Sequence, residues 1–123
     1  MLRTVEDAAN HEVLRIGPLE IRPAEFVALA QGTPLPLTPH ELDLLTELAR
    51  RAGRIVSREE IYAVVWGRDR HPADRSVDVY VRKLRRKLSD ALPEWHCIHT
   101  HFGFGYRFSP EPSHVFHTAE TVR

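Results

Sequence analysis

Two helix-start signals constrain this chain more than any other feature. In Thr38-Pro39-His40-Glu41 the threonine is an N-cap, the proline takes the first helical position, and the glutamate at N3 completes a capping box. Ser57-Arg58-Glu59-Glu60 reads as a second capping box. Each is followed by apolar residues at helical spacing: Leu42, Leu45, Leu48 and Ala49 after the first, Ile61, Val64, Val65 and Trp66 after the second. Gly53 ends the first helix, and Gly67 is the C′ residue of the second. A third helix is expected to start near Asp74 or Ser76. Its Val77, Val81, Leu84 and Leu88 form a narrow apolar stripe, and Pro93 closes the segment.

The flanks read as β-structure. Val13, Leu14 and Ile16 precede a Gly17-Pro18 turn, and Leu19 and Ile21 alternate with Glu20 and Arg22 as in a half-buried strand. Phe26 to Leu29 fits either a third strand or a helical turn, and Leu35 and Leu37 flank Pro36 in a short edge strand. After the helices, residues around Ile98, a Gly103-Phe104-Gly105 turn and Tyr106-Arg107-Phe108 read as a β-hairpin. The expected fold class is therefore α+β: an N-terminal antiparallel sheet of three to four short strands, three helices and a C-terminal hairpin. The expected domain covers residues 13–109, with a loose leader over 1–12 and a weakly ordered tail over 110–123.

Composition sets the outer bounds. The 123 residues are 42% hydrophobic and 28% charged, ordinary for one globular domain with a real core. One cysteine, Cys97, excludes a disulfide scaffold and fits a reducing cytoplasm. No secretion signal opens the chain, and no stretch is long and apolar enough to span a bilayer, so no membrane partner is expected.

The formal net charge of zero conceals a local excess. Residues 1–67 hold 7 basic and 10 acidic side chains, residues 68–90 hold 8 and 4, and residues 91–123 hold 2 and 3. Attraction to phosphate is local, within about a Debye length of roughly 8–10 Å, so the basic segment matters more than the total. On the third helix the face opposite the stripe carries Arg75, Val79, Arg82, Lys83 and Arg86. Arginine matches phosphate and the guanine edge bidentately, and a valine among the cations suits a thymine methyl. Three helices followed by a hairpin form the winged variant of the helix-turn-helix, whose third helix enters the major groove.

Residues 13–109 resemble the effector domain of the OmpR/PhoB class of bacterial two-component response regulators. The resemblance rests on Leu37-Thr38-Pro39-x-Glu41, on Gly53-Arg54-x-Val56-Ser57-Arg58-Glu59 and on Val65-Trp66-Gly67. It continues through Asp74-Arg75-Ser76-Val77-Asp78-Val79-x-Val81-Arg82-Lys83-Leu84-Arg85-x-Lys87-Leu88 and Gly103-x-Gly105-Tyr106-Arg107-Phe108. It implies a winged-helix regulator of transcription that binds double-stranded DNA without a cofactor. By the same resemblance Asp78, Val79, Arg82 and Lys83 would contact bases, and Arg75, Ser76, Arg85 and Arg86 would lie near phosphates. His101, Phe102 and Phe104 would form the wing, and the loop Arg68, Asp69, Arg70 and His71 would contact RNA polymerase or a sigma factor. Trp66 and Tyr106 read as framework. A second copy on a tandem half-site is a further expected partner.

Two departures stand out. Where the family usually carries an apolar residue and then arginine before the wing glycine, this chain has His101-Phe102. Phe102 is expected to pack, with a sugar contact or a wedge between bases as the alternatives. Nor can so short a leader hold a receiver domain, so either the sequence is a piece of a longer protein or its control differs. His96-Cys97-Ile98-His99-Thr100-His101 places Cys97, His99 and His101 on one face of a strand, but that spacing is a weak zinc signal and no metal is expected. Cys97 is expected to be a half-buried inert thiol. No nucleophile elbow, P-loop, zinc-protease or dinucleotide motif is present, so no enzymatic role is expected. The rival to DNA binding is a protein-interaction module, a winged helix that docks polymerase, a sigma factor or another regulator.

Overall fold

The computed structural model describes residues 12–67 and 77–113. A four-stranded antiparallel meander comes first: β1 (Leu14–Ile16), β2 (Leu19–Arg22), β3 (Val27–Ala30) and β4 (Thr33–Pro34), in that spatial order. Alternation decides its faces. Leu19 and Ile21 are buried opposite Ala30 and Ala28, while Glu20 pairs on the outer face with Arg15 and Arg22. Of the two readings of Phe26 to Leu29, the strand is correct from Val27 on. Phe26 itself closes a one-turn 3-10 helix over Pro23–Glu25 in left-handed conformation. The expected edge strand at Leu35 and Leu37 is displaced, because β4 is Thr33–Pro34. Leu35 still donates to the Ala28 carbonyl (2.8 Å), and the chain then leaves the sheet at Pro36.

Helix α1 (Pro39–Arg50) starts at the expected capping box. The Glu41 amide donates to Thr38 Oγ1 (3.3 Å), and the Thr38 amide donates to Glu41 Oε1 (2.9 Å). Thr38→Ala removes one leg of this box and should cost about 1 kcal/mol, read as a lower urea midpoint with an unchanged slope. Helix α2 (Arg58–Val65) has only half of its expected box. Ser57 Oγ accepts from the Glu60 amide (3.0 Å), but the Glu60 carboxylate goes to Arg51 (3.1 Å) and Arg54 (3.2 Å). Helix α3 (Val77–Ala91) buries the stripe read from the sequence: Val77, Val81, Leu84 and Leu88. With Leu45, Leu48, Ile61 and Phe108 they make the centre of the core. Among the described residues no helix is long and apolar enough to cross a membrane.

The hairpin is part of a three-stranded sheet of order β5-β7-β6. Its arms are β6 (Trp95–His101) and β7 (Gly105–Pro112). The third member, β5 (Ile55–Val56), pairs with Arg107 and Tyr106 and has no counterpart in the sequence reading. A bulge between His96 and Ile98 turns Cys97 and Ile98 both inward, so Cys97 is buried rather than half-buried. The ordered strand also runs beyond the expected boundary at 109. Glu111 pairs with His96, and Pro112 with Trp95.

Candidate nucleic-acid interface

Because four α3 positions are committed to the core, the helix turns Arg82, Lys83 and Arg86 to the exterior, with Val79 half-buried at the edge of that face. Lys83 Nζ lies 5.4 Å from the Tyr80 ring centroid, a cation–π contact that orients its stem. Arg85, expected beside phosphate, points elsewhere. Its Nε and Nη2 donate to the Ile98 carbonyl (3.1 and 2.9 Å), and Nη2 also reaches Thr100 Oγ1 (2.5 Å). Thus α3 grips the first hairpin strand with a side chain from the edge of its apolar stripe.

Asp78, expected among the base contacts, holds the other end of the wing. Its Oδ1 accepts from Arg58 Nε (2.8 Å) and from the Tyr106 hydroxyl. Two guanidiniums lie over the Tyr106 ring, Arg58 at 5.5 Å and Arg85 at 5.6 Å from its centroid. The Tyr106 hydroxyl, then Arg58, hold the Asp78 carboxyl below its ordinary range despite some burial. Burial, and then the Asp78 charge, push the Tyr106 phenol above its ordinary value. The two groups therefore remain carboxylate and phenol at neutral pH, and the hydrogen bond between them has a fixed direction. Tyr106 is framework as expected, and so is Trp66, which packs with Tyr62, Tyr80 and His40 at centroid distances of 5.2, 5.0 and 5.7 Å.

On the outer face of the hairpin, His99 Nε2 donates to the Ser109 carbonyl (2.8 Å), and Arg107 Nε donates to His101 Nε2 (3.2 Å). Beyond them the tip is bare: Phe102 is 86% exposed and Phe104 71%. The packing role expected for Phe102 is therefore not realised. Between α3 and β6 lies an open groove of about 360 Å³ whose polar lining includes Arg82, Arg86, Ser89 and His96. Among the described residues no group of three or more His, Cys, Asp or Glu could hold a metal ion. Burial pushes the Cys97 thiol up to about 11, so it is protonated and unreactive at neutral pH. Arg75 and Ser76, and the loop Arg68, Asp69, Arg70 and His71, lie outside the described residues.

The sequence reading missed the Arg58–Asp78 pair and the Arg85 clasp. Both join residues remote in sequence, and the only local sign was an acid, Asp78, in the first turn of a basic helix.

Residues 32–108 match the family model described as "Transcriptional regulatory protein, C terminal". The phosphate regulon transcriptional regulatory protein PhoB of Shigella flexneri is 34% identical over 111 residues, 89% of this chain and 47% of that protein. The DNA-binding response regulator MtrA of Mycolicibacterium smegmatis is 39% identical over 110 residues, again 89% and 47%. The chain thus spans about half the length of the curated relatives it matches. Among solved structures, the Klebsiella pneumoniae RstA DNA-binding domain in complex with RstA box superposes with a TM-score of 0.69 at 35% identity, covering 82% of this chain and 100% of that one. With its capped helices, basic α3 face and clasped wing, the chain belongs to the family of C-terminal domains of OmpR/PhoB-type transcriptional regulatory proteins.

Proposed function

We propose that this chain binds double-stranded DNA sequence-specifically and thereby regulates transcription, with α3 in the major groove. The observation that carries this reading is the division of α3 into a wholly buried stripe and an outer face bearing Arg82, Lys83 and Arg86. The similarity to the RstA domain crystallised with its DNA box supports it. Val79, Arg82 and Lys83 read bases, Arg86 meets phosphate, and Arg75 and Ser76, which precede α3 in the sequence, add phosphate contacts. Asp78 and Arg85 act differently from the base and phosphate roles the resemblance implies: they are positioning residues that fix the wing against α3.

Titration of random and selected duplexes at two salt concentrations tests the reading. Phosphate contacts give nonspecific affinity with a steep salt dependence, and base contacts give the preference for a selected site. Arg82→Ala and Lys83→Ala should each weaken binding to the selected site by about 1–3 kcal/mol while the thermal midpoint holds. Arg86→Ala should weaken selected and random duplexes alike and lower the salt slope by about one. Wild-type affinity in both the Arg82 and Lys83 variants would remove α3 as the reading surface.

A further inference from the structure

The tip of the wing carries chemistry that the basic face of α3 does not explain. Phe102 and Phe104 expose 86% and 71% of their surface, and both sit in one tight turn. The Phe104 amide donates to the His101 carbonyl (2.8 Å), so residues 101–104 form a closed turn. Gly103 at its third position has φ 86°, the signature of a type II turn, which sets Phe102 at the apex. Nothing lies within 4 Å of a Cβ built on Gly103, so the apex stands clear of the rest of the domain. Two large apolar rings held in water on a short, hydrogen-bonded turn mark a contact surface.

Charge and attachment indicate what covers them. Glu111, at the far end of β7, lies 3.6 Å from Arg107 and 3.7 Å from His99, while residues 95–110 contain no aspartate or glutamate, so the tip half of the hairpin carries no acidic charge to repel a polyanion. The root of the wing is clasped to α3 by Tyr106 on Asp78 and by Arg85 on Ile98 and Thr100. A duplex engaged by α3 would therefore meet a tip whose place beside it is fixed by that clasp. The tip itself bears no cation at 102–104, so it has no charge with which to read the electrostatic potential of a narrow groove. Rings presented to a minor groove act instead as wedges, entering between base pairs and bending the duplex towards the major groove. Pyrimidine–purine steps unstack most readily.

We propose that Phe102, backed by Phe104, is an apolar wedge that enters the minor groove flanking the α3 site and partly unstacks a pyrimidine–purine step. The proposal rests on the DNA-binding reading above and adds to it a specificity determined by the deformability of the flank.

The test uses the full chain and a duplex selected by it from a random pool. 2-Aminopurine is placed in turn through the flank, and end-to-end energy transfer reports the bend. Wild-type protein should raise fluorescence at one step and bend the duplex by roughly 20–90°. The Phe102→Ala/Phe104→Ala double variant should lose both signals and bind about tenfold more weakly, with the same salt slope because no charge is removed. Phe102→Leu should retain most of both signals. Since both rings are exposed, all variants should keep the wild-type thermal midpoint. If the double variant bends and unstacks the duplex as wild type does, the wedge is overturned while DNA binding stands. Self-association of wild-type protein that the double variant abolishes, with bending unchanged, would also overturn it and assign the rings to a second copy of the chain. Failure of wild-type protein to retain any duplex at low salt would overturn both readings.

Discussion

Gly105→Ala is expected to cost roughly 2–6 kcal/mol of folding stability, through left-handed backbone strain and overpacking together. Gly105 has φ 147°, and a Cβ there would lie 2.0 Å from the Val56 carbonyl oxygen, 2.7 Å from the Val56 carbonyl carbon and 2.9 Å from Ser57 Cα. All three obstacles are backbone, so no side chain can swing aside. Either β7 retreats from β5 or the turn into α2 moves. Retreat breaks the Val56–Tyr106 register and loosens the Tyr106 hydroxyl from Asp78, so the wing would lose its root on α3. Domains of this size are stable by about 5–15 kcal/mol, and the variant should melt far below wild type. Gly103→Ala is the control. It shares a positive φ of 86° but has nothing within 4 Å of its Cβ, so it should cost only about 1–2 kcal/mol. Equal shifts of the urea midpoint in the two variants would show that close approach at β5 does not limit position 105.

What could be read from the sequence depended on how local the cause was. Thr38 and Glu41 cap within one turn, and the α3 stripe repeats within one helix, so both were legible. The pair Ile55-Val56 becomes a strand only because β7 passes beside it, and two β-branched residues alone carry no such signal. The tail boundary failed for a related reason. Pro110 and Pro112 read as the end of structure, yet β5 covers β7 only at Tyr106 and Arg107. Past that point β7 has one neighbour, and a residue without an N–H is tolerated on the open side. In the site, the outer face of α3 was legible from 100° spacing, but the fates of Asp78 and Arg85 were not. Both lie at the margins of the stripe, where a small rotation decides between solvent and the wing, and their partners come from elements far away in sequence.

Lys87→Met should cost on the order of 2–4 kcal/mol near neutral pH, because it strands a buried carboxylate. Glu41 is 3% exposed, and Lys87 Nζ lies 2.6 Å from its Oε1 and 2.8 Å from the Pro36 carbonyl. The ammonium thereby joins the start of α1 to the far half of α3, across 46 residues of sequence. Burial drives the Glu41 carboxyl upward. The hydrogen bond from Lys87 and that from the Thr38 amide outweigh it, leaving the group below its ordinary value. The sign for wild type follows. A carboxyl depressed in the folded state contributes stability above its unfolded value, near 4.3, and that contribution is lost as pH falls through the folded value. Without Lys87 the main downward influence is gone while burial remains, and a protonated Glu41 needs no cation. The cost of Lys87→Met should therefore shrink as pH drops below about 4. Glu41→Gln keeps a capping acceptor for the Thr38 amide without a charge, so Glu41→Gln/Lys87→Met should be more stable than Lys87→Met alone at pH 7. Urea midpoints of the four proteins at pH 7 and pH 3.5 decide the matter. A pH-independent cost, or a double variant no more stable than Lys87→Met, would mean that lost packing of the lysine stem, and not a stranded charge, carries the effect.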